Sequence, residues 1–453
     1  MIAKTQLLAP FHPGKGLSGS FRDIVAGPST FYEHVAWQHN GIARVRAFHR
    51  VVHIVAHPDY VHQILVSKQR QYRKSDIYQN LEQMIGRGLV TLEGDLWRKD
   101  RKIIQPGFHP KVIAHMVDIA HSSCDSIFAQ WSRNAEAFQP VVPALREISL
   151  RIISETLLNT SLDAMKSSRF SENLMEASAL LTRKNWSLLQ LPERWPTPIN
   201  RRLRSIRMEV IRFFDEQVNR RLSEGVGKRG DMLDLLLSVM DQEEEPTITR
   251  QRVLTEILTL FSAGYDTTSS AIAWTIHYLS QFPDYQLRLQ EEVDRVLGQR
   301  LPTWQDLDAL VETERVFHEA LRLNPPIHSI LRTATADDQL GPYFIPAGSQ
   351  LMVSLSGANH SPLHWEHALE FDPDRFTTEV GKRAKERAFV PFSAGARRCI
   401  GAQFATVEAK LLLARIAQRF TLTPDPQSTI RISAAASQYP EGLRVRFTAR
   451  TSR

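Results

Sequence analysis

Only two cysteines occur in this 453-residue chain, Cys124 and Cys399, and the second sits in a setting suited to chemistry. The string around it reads Phe392-Ser-Ala-Gly395-Ala-Arg397-Arg-Cys399-Ile-Gly401. A thiolate ligand needs a lowered pKa, donors that soften the charge on sulfur, and backbone that can approach a flat macrocycle. The start of a helix supplies positive dipole and exposed N–H groups. Gly395 and Gly401 permit the tight turn and the close approach. Phe392 can pack on the ligand side, and Arg397 can pair with an acidic group of the macrocycle. The bland reading of any lone cysteine is a small buried hydrophobe, and that is the reading for Cys124. For Cys399 the whole string would have to coincide, which average composition allows on the order of once in ten thousand chains of this length.

A second cluster lies upstream. From about Thr249 to about Ser280 the pattern is one long helix with apolar residues almost all round. Its middle nevertheless reads Ser262-Ala263-Gly264-Tyr265-Asp266-Thr267-Thr268-Ser269-Ser270. Polar groups in a buried helix need partners, so such a cluster marks a site. Ala263 and Gly264 leave room for a flat ligand and a small oxygen species. Gly264 and Thr267 together allow a local opening of the helix. Asp266 and Thr267 form an acid–alcohol pair suited to proton delivery. The alternative is a Ser/Thr-rich helix contact with Asp266 capped or paired.

These two motifs, in this order, resemble the cysteine loop and oxygen-binding helix of the cytochrome P450 family. The resemblance covers the chain from about residue 40 to its end. It implies a mainly α fold with a small discontinuous β portion, the haem lying between the oxygen-binding helix and the helix that follows Cys399. It also implies Cys399 as the iron ligand of haem b (iron protoporphyrin IX). Trp97 and Arg101, one turn apart on a helix, then lie beside a propionate, as do Arg332 and Arg397. Glu319 and Arg322, also one turn apart and ahead of the Pro325-Pro326 stop, form with Arg375 a structural ion-pair network. Candidate substrate-lining residues are Tyr78, Leu81, Met84, Ile85 and Leu89, the stretch Trp186–Trp195, Phe261, Ile327, His328, Ile330 and Ala436. Arg183, Lys184 and Arg194 read as solvated surface or as a grip for a carboxylate. His360 reads as an ordinary turn residue.

The elements that must position these groups are legible in outline. Residues 42–56 alternate as a β-hairpin. The texture is mostly helical from about Pro58 to about Leu323, with proline breaks, and 241–246 reads as a solvated loop. Short strands return at about 330–390, including Gln350–Leu355, and again in the tail from Phe420. Between them a helix after Cys399 carries Phe404, Val407, Leu411 and Ala414 on one stripe.

Composition is that of a globular chain, 42% hydrophobic and 23% charged. Length would allow about three domains, yet no repeat and no long linker divides the chain, so one haem-thiolate domain over 1–453 is expected. No signal peptide, membrane anchor or spanning segment is seen, and two cysteines cannot frame a disulfide scaffold. The expectation is a cytoplasmic monomer. The net charge of +7 carries no basic helix or aromatic–basic module, which argues against nucleic acid. The expected reaction inserts one atom of O2 into a hydrophobic organic substrate. No Gly-rich nicotinamide or flavin unit is seen, so electrons must come from a partner, an acidic ferredoxin or flavodoxin with its reductase. Arg98, Lys99, Lys102, His109, Lys111, Arg397, Arg398 and Lys410 are the candidate basic contacts. Two other classes remain: a peroxide-driven haem-thiolate peroxygenase, and a haem carrier or sensor. Neither needs the Asp266–Thr267 pair.

Overall fold

The computed structural model describes residues 6–161, 169–185, 191, 194–240, 249–433 and 437–450. The expected loop at 241–246, most of Trp186–Trp195 and Ala436 lie outside the described residues. The chain divides into two compact units, one made of Met1–Asp76, Arg315–Cys399 and Ile432–Tyr439, the other of Ile77–Glu314, Ile400–Arg431 and Pro440–Arg453.

The first unit is built on a six-stranded sheet. Strands Ile42–Ala47 and Arg50–Val55 form the expected hairpin, pairing from Ile42↔Val55 to Ala47↔Arg50. The β-branched residues of these strands suit a pleated, half-buried surface. Val52–Val55 runs parallel to Gln350–Val353, and Ser329–Thr333 lies antiparallel to that same strand. Tyr72–Lys74 closes one edge against Arg332–Ala334, and Phe11–His12 closes the other beside Arg44. Ile42, Val55, Ile64, Leu65, Leu351 and Val353 make the core beneath the sheet.

The strand content after Pro325 stops earlier than the alternation suggested. Past Ser354 the chain turns helical at Leu355–Asn359 and again at Glu379–Ala388. The cause is capping: the Ser354 hydroxyl accepts from Gly357 N–H and the Thr378 hydroxyl from Gly381 N–H. Such caps satisfy donors that a strand would have paired elsewhere.

The second unit is helical. Its axis is Arg250–Gln281, whose first turn is capped by Thr249. Residues 253–261 and 268–276 of this helix are buried without interruption. It packs on Val141–Leu158, Pro198–Glu224, Met232–Met240 and Ala402–Arg419. A three-stranded sheet of Phe420–Pro424, Arg444–Ala449 and Gln139–Pro140 completes the unit. Among the described residues no helix is long and apolar enough to cross a membrane.

Candidate haem-thiolate site

Each unit supplies one half of the predicted chemistry. In the first, the cysteine loop is a closed turn. Cys399 N–H donates to Phe392 O at 3.0 Å, and Arg398 N–H donates to Gly395 O at 3.1 Å. Ser393 adopts φ 60° and Gly395 φ 68°, both left-handed. A Cβ at Gly395 would stand 2.0 Å from Leu65 O, so only glycine lets this loop seat on the helical turn Gln63–Ser67. The Gln69 side chain accepts from Ala396 N–H and fixes the same turn. The loop leaves Cys399 exposed, whereas Cys124 is buried and its thiol is pushed up to about 12 by that burial. One sulfur is therefore accessible on a rigid turn and the other is inert. The helix Ala402–Arg419 begins three residues past Cys399.

The same unit holds Arg332 in the strand beside Leu351 and Lys74, its Nη1 donating to Leu331 O. Ile327, His328 and Ile330 are half-buried. Burial pushes the His328 ring down to about 4, so it is neutral. It faces Tyr32 with ring centroids 5.9 Å apart, and no described group hydrogen-bonds its Nδ1.

Glu319 organises the C-terminal part of this unit. Its Oε2 accepts from Arg322 Nε at 2.8 Å, and its Oε1 accepts from Arg322 Nη2 at 2.8 Å and Arg375 Nε at 2.9 Å. The arginines spend their remaining donors on the carbonyls of Asn359, Ala368, Glu366 and Glu370, and both stack on Trp365. His360 does more than turn the chain. It bridges Glu33 Oε2 and Leu323 O, tying the N-terminal helix Pro28–Gln38 to the end of the Val311–Leu323 helix.

In the second unit, Ala263 is the single exposed residue between Val253 and Ser280 of the central helix. Thr267 follows it by one turn on the same face. The Thr267 hydroxyl donates to Ala263 O at 2.7 Å. Gly264 also lies close against the neighbouring helix: a Cβ there would stand 2.2 Å from Ile153 Cδ1, which would have to shift.

Asp266 points away from that face. Its Oδ1 is held by Arg146, with Nη2 at 2.8 Å and Nε at 2.9 Å. Sequence reasoning missed Arg146 because it lies 120 residues upstream, on Val141–Leu158. That helix also carries Glu147, Arg151 and Glu155, so nothing local singled Arg146 out. Glu408 was also missed. It is wholly buried nine residues past Cys399 and accepts from Ser149 Oγ at 2.6 Å, and burial pushes it up to about 8.

Trp97 is half-buried against the apolar cluster of this unit, with Arg101 half-buried one turn on. Tyr78 and Leu81 are half-buried, and Ile85 and Leu89 are buried in that cluster. Phe261 is fully buried between Phe170 and Phe214, within an aromatic core. Lys184 is buried and donates to the amide oxygens of Gln83 and Asn200, while Arg183 and Arg194 are exposed. Lys99, Lys102 and His109 are exposed, as is Arg98 beside Asp95. Lys410 is buried and paired with Glu314 at 2.7 Å, which removes it from any surface contact. The Lys111 side chain lies outside the described residues.

The cysteine loop by itself fits a haem ligand: an accessible thiol on a glycine turn held by backbone hydrogen bonds. The comparisons then decide the matter. The chain matches the family described as cytochrome P450 over residues 14–441. It belongs to the cytochrome P450 family. This P450 is 30% identical to cyclooctat-9-en-7-ol 5-monooxygenase of Streptomyces melanosporofaciens, over 86% of this chain and 84% of that one. It is 29% identical to pentalenene oxygenase of Streptomyces avermitilis, over 91% of each. The fold matches the crystal structure of the cytochrome P450DA haem domain with a TM-score of 0.87 at 24% identity, over 99% of this chain and 98% of that one. It also matches retinoic acid-bound cyanobacterial CYP120A1 with a TM-score of 0.85 at 22% identity, over 98% of this chain and all of that one. The P450 is thus a haem-dependent monooxygenase that inserts oxygen into a hydrophobic organic substrate.

Proposed function

We propose that this P450 carries haem b with Cys399 as the protein ligand to iron, in one catalytic domain spanning the chain. We propose further that it oxidises a neutral, hydrocarbon-rich substrate of the kind named for its relatives, such as pentalenene or cyclooctat-9-en-7-ol. What supports this substrate is the apolar character of the segment read as lining: Met84, Ile85 and Leu89 sit in one hydrophobic cluster and Leu81 packs against it. The test is a titration of the purified holoprotein with pentalenene, a fatty acid, a steroid and a macrolide, following the haem Soret band. A blue shift confined to the cyclic hydrocarbon is expected, and a shift given only by the fatty acid overturns the assignment.

Bound haem supplies the dioxygen and one-electron chemistry. The chain's residues do the rest. Trp97, Arg101, Arg332 and Arg397 would hold the propionates. Thr267 keeps a proton on Oγ1 at the face that Ala263 leaves open. Asp266, anchored by Arg146 and turned from that face, would return a proton to Thr267 only through bridging water. Replacing Thr267 with Ala is expected to lower product formed per reducing equivalent about ten-fold, with reductant consumption continuing. Unchanged coupling would exclude the hydroxyl from proton delivery.

Electrons come from an acidic ferredoxin or flavodoxin with its reductase, steered by exposed Lys99, Lys102 and Arg398. In this reading the enzyme works as a cytoplasmic monomer.

A further inference from the structure

Glu256 is a wholly buried carboxyl on the helix that carries Asp266 and Thr267, and nothing in the proton-delivery scheme uses it. Its Oε2 accepts the backbone N–H of Leu89 at 3.0 Å. Beside it stands a second buried acid, Asp100, on Gly94–Ile104. The Arg252 guanidinium is committed to Asp100, with Nε 2.9 Å from Oδ2, and stays 3.7 Å from Glu256. No described N–H or O–H reaches Glu256 Oε1. Two buried carboxyls side by side with one guanidinium are satisfied when a proton sits between them. Burial first, and Asp100 next, push Glu256 up, against the Leu89 N–H, which favours the carboxylate. Oε2 accepts from Leu89 N–H whether or not the acid carries a proton.

The segment it holds is built to be held. A Cβ at Gly86 would meet Thr255 Oγ1 at 2.7 Å, and one at Gly88 would meet Thr259 Oγ1 at 2.7 Å and Glu256 Oε1 at 3.2 Å. The backbone of 86–89 thus lies flush on the Thr255–Thr259 face of the helix. Thr91 braces it from within, accepting Gly88 N–H and donating to Gly86 O. Ile85 and Leu89, at either end of the glycine pair, enter the apolar cluster.

We propose that Glu256 is a positioning residue: by accepting Leu89 N–H at Oε2 it fixes Leu89 and the adjoining helix Tyr78–Ile85 on the oxygen-activation helix, and so sets the shape of the substrate pocket. This rests on the reading that Tyr78–Leu89 lines that pocket. The charged groups acting on Glu256 are Asp100 and Arg252. On elements packed against its helix, Asp231 and Asp234 are taken up by Arg221, and Arg146 by Asp266. On the loop, the exposed Arg87 lies 3.5 Å from Glu82, and it is the backbone of Leu89 that bonds Glu256.

The probe is 4-phenylimidazole, which reports pocket access through a Soret red shift whatever the natural substrate. Its Kd is measured on the holoprotein at pH 7, with the carbon monoxide spectrum recorded in parallel. Glutamine reproduces the protonated acid, accepting from Leu89 and donating to Asp100 without an ionisable proton. Expected is a Kd for Glu256→Gln within about two-fold of wild type at pH 7, because glutamine keeps the acceptor for Leu89 N–H. Glu256→Leu is expected to bind about ten-fold more weakly, with an intact thiolate-type spectrum. A Glu256→Leu Kd equal to wild type overturns the inference; if that variant does not fold, hydrogen exchange of the wild-type Leu89 amide at the rate of an exposed loop overturns it equally. Leu81→Ala and Ile85→Ala separate the two levels of argument. If they leave Kd unchanged, the pocket reading falls and this inference with it; if they shift Kd while the Glu256 variants do not, this inference alone falls.

Discussion

Cys399→Ser is expected to lose monooxygenase activity by at least on the order of 10³-fold, about 4 kcal/mol of barrier, and to lose the thiolate-type carbon monoxide spectrum. The loss is chemical rather than structural. The turn is held by Cys399 N–H on Phe392 O, by Gly395 against Leu65 O and by Gln69 on Ala396, none of which uses the sulfur. Serine therefore keeps the loop and removes only the electron-rich ligand. Cys124 cannot substitute, since it is buried with its thiol held protonated. Cys124→Ser should accordingly leave the spectrum intact. A thiolate spectrum that survives Cys399→Ser but vanishes in Cys124→Ser would reverse the assignment. Far-ultraviolet circular dichroism of both variants checks that the fold is retained.

Glu319→Gln is expected to cost about 3–5 kcal/mol, a large part of the 5–15 kcal/mol on which a domain of ordinary stability rests. Arg322 is wholly buried and Arg375 nearly so, and Glu319 is ion-paired with both. Glutamine offers one acceptor oxygen where the carboxylate accepts four bonds, counting Asp372 N–H. Two buried guanidiniums are then left with carbonyls alone. The measurement is urea unfolding of the holoprotein, with haem retention recorded alongside. A midpoint within experimental scatter of wild type would mean that the carbonyls and Trp365 suffice to hold the arginines. Replacing the network with matched apolar residues is a different experiment, because no charge is then stranded.

Local rules carried the reading of this sequence a long way. Alternation over 42–56 can bury one face only as a strand pair, and the hairpin follows. Apolar residues all round 253–276 can be satisfied only in the interior, and that helix is the axis of its unit. Glu319 and Arg322 share a face because three residues make nearly one helical turn. The cysteine string needed no fold to be recognised, since its glycines and its sulfur are constrained by the turn itself.

What distance in sequence hides, only the tertiary structure decided. Asp266 and Thr267 are neighbours in the chain but point about 100° apart on a helix, so the acid takes Arg146 as partner and the alcohol takes Ala263 O. Lys410 looked like surface charge, yet its helix turns it inward to Glu314. That Ile153 would crowd any side chain at Gly264 was likewise hidden. The strand-like texture past Ser354 gave way to two capped helices. Glu256, one carboxyl in a run of apolar residues, gave no hint that Asp100 and Leu89 would meet it. Spacing along the chain fixes which face of an element a side chain occupies. Which partner waits on that face is set by packing between elements far apart in sequence, where burial makes each unpaired charge too costly to leave alone.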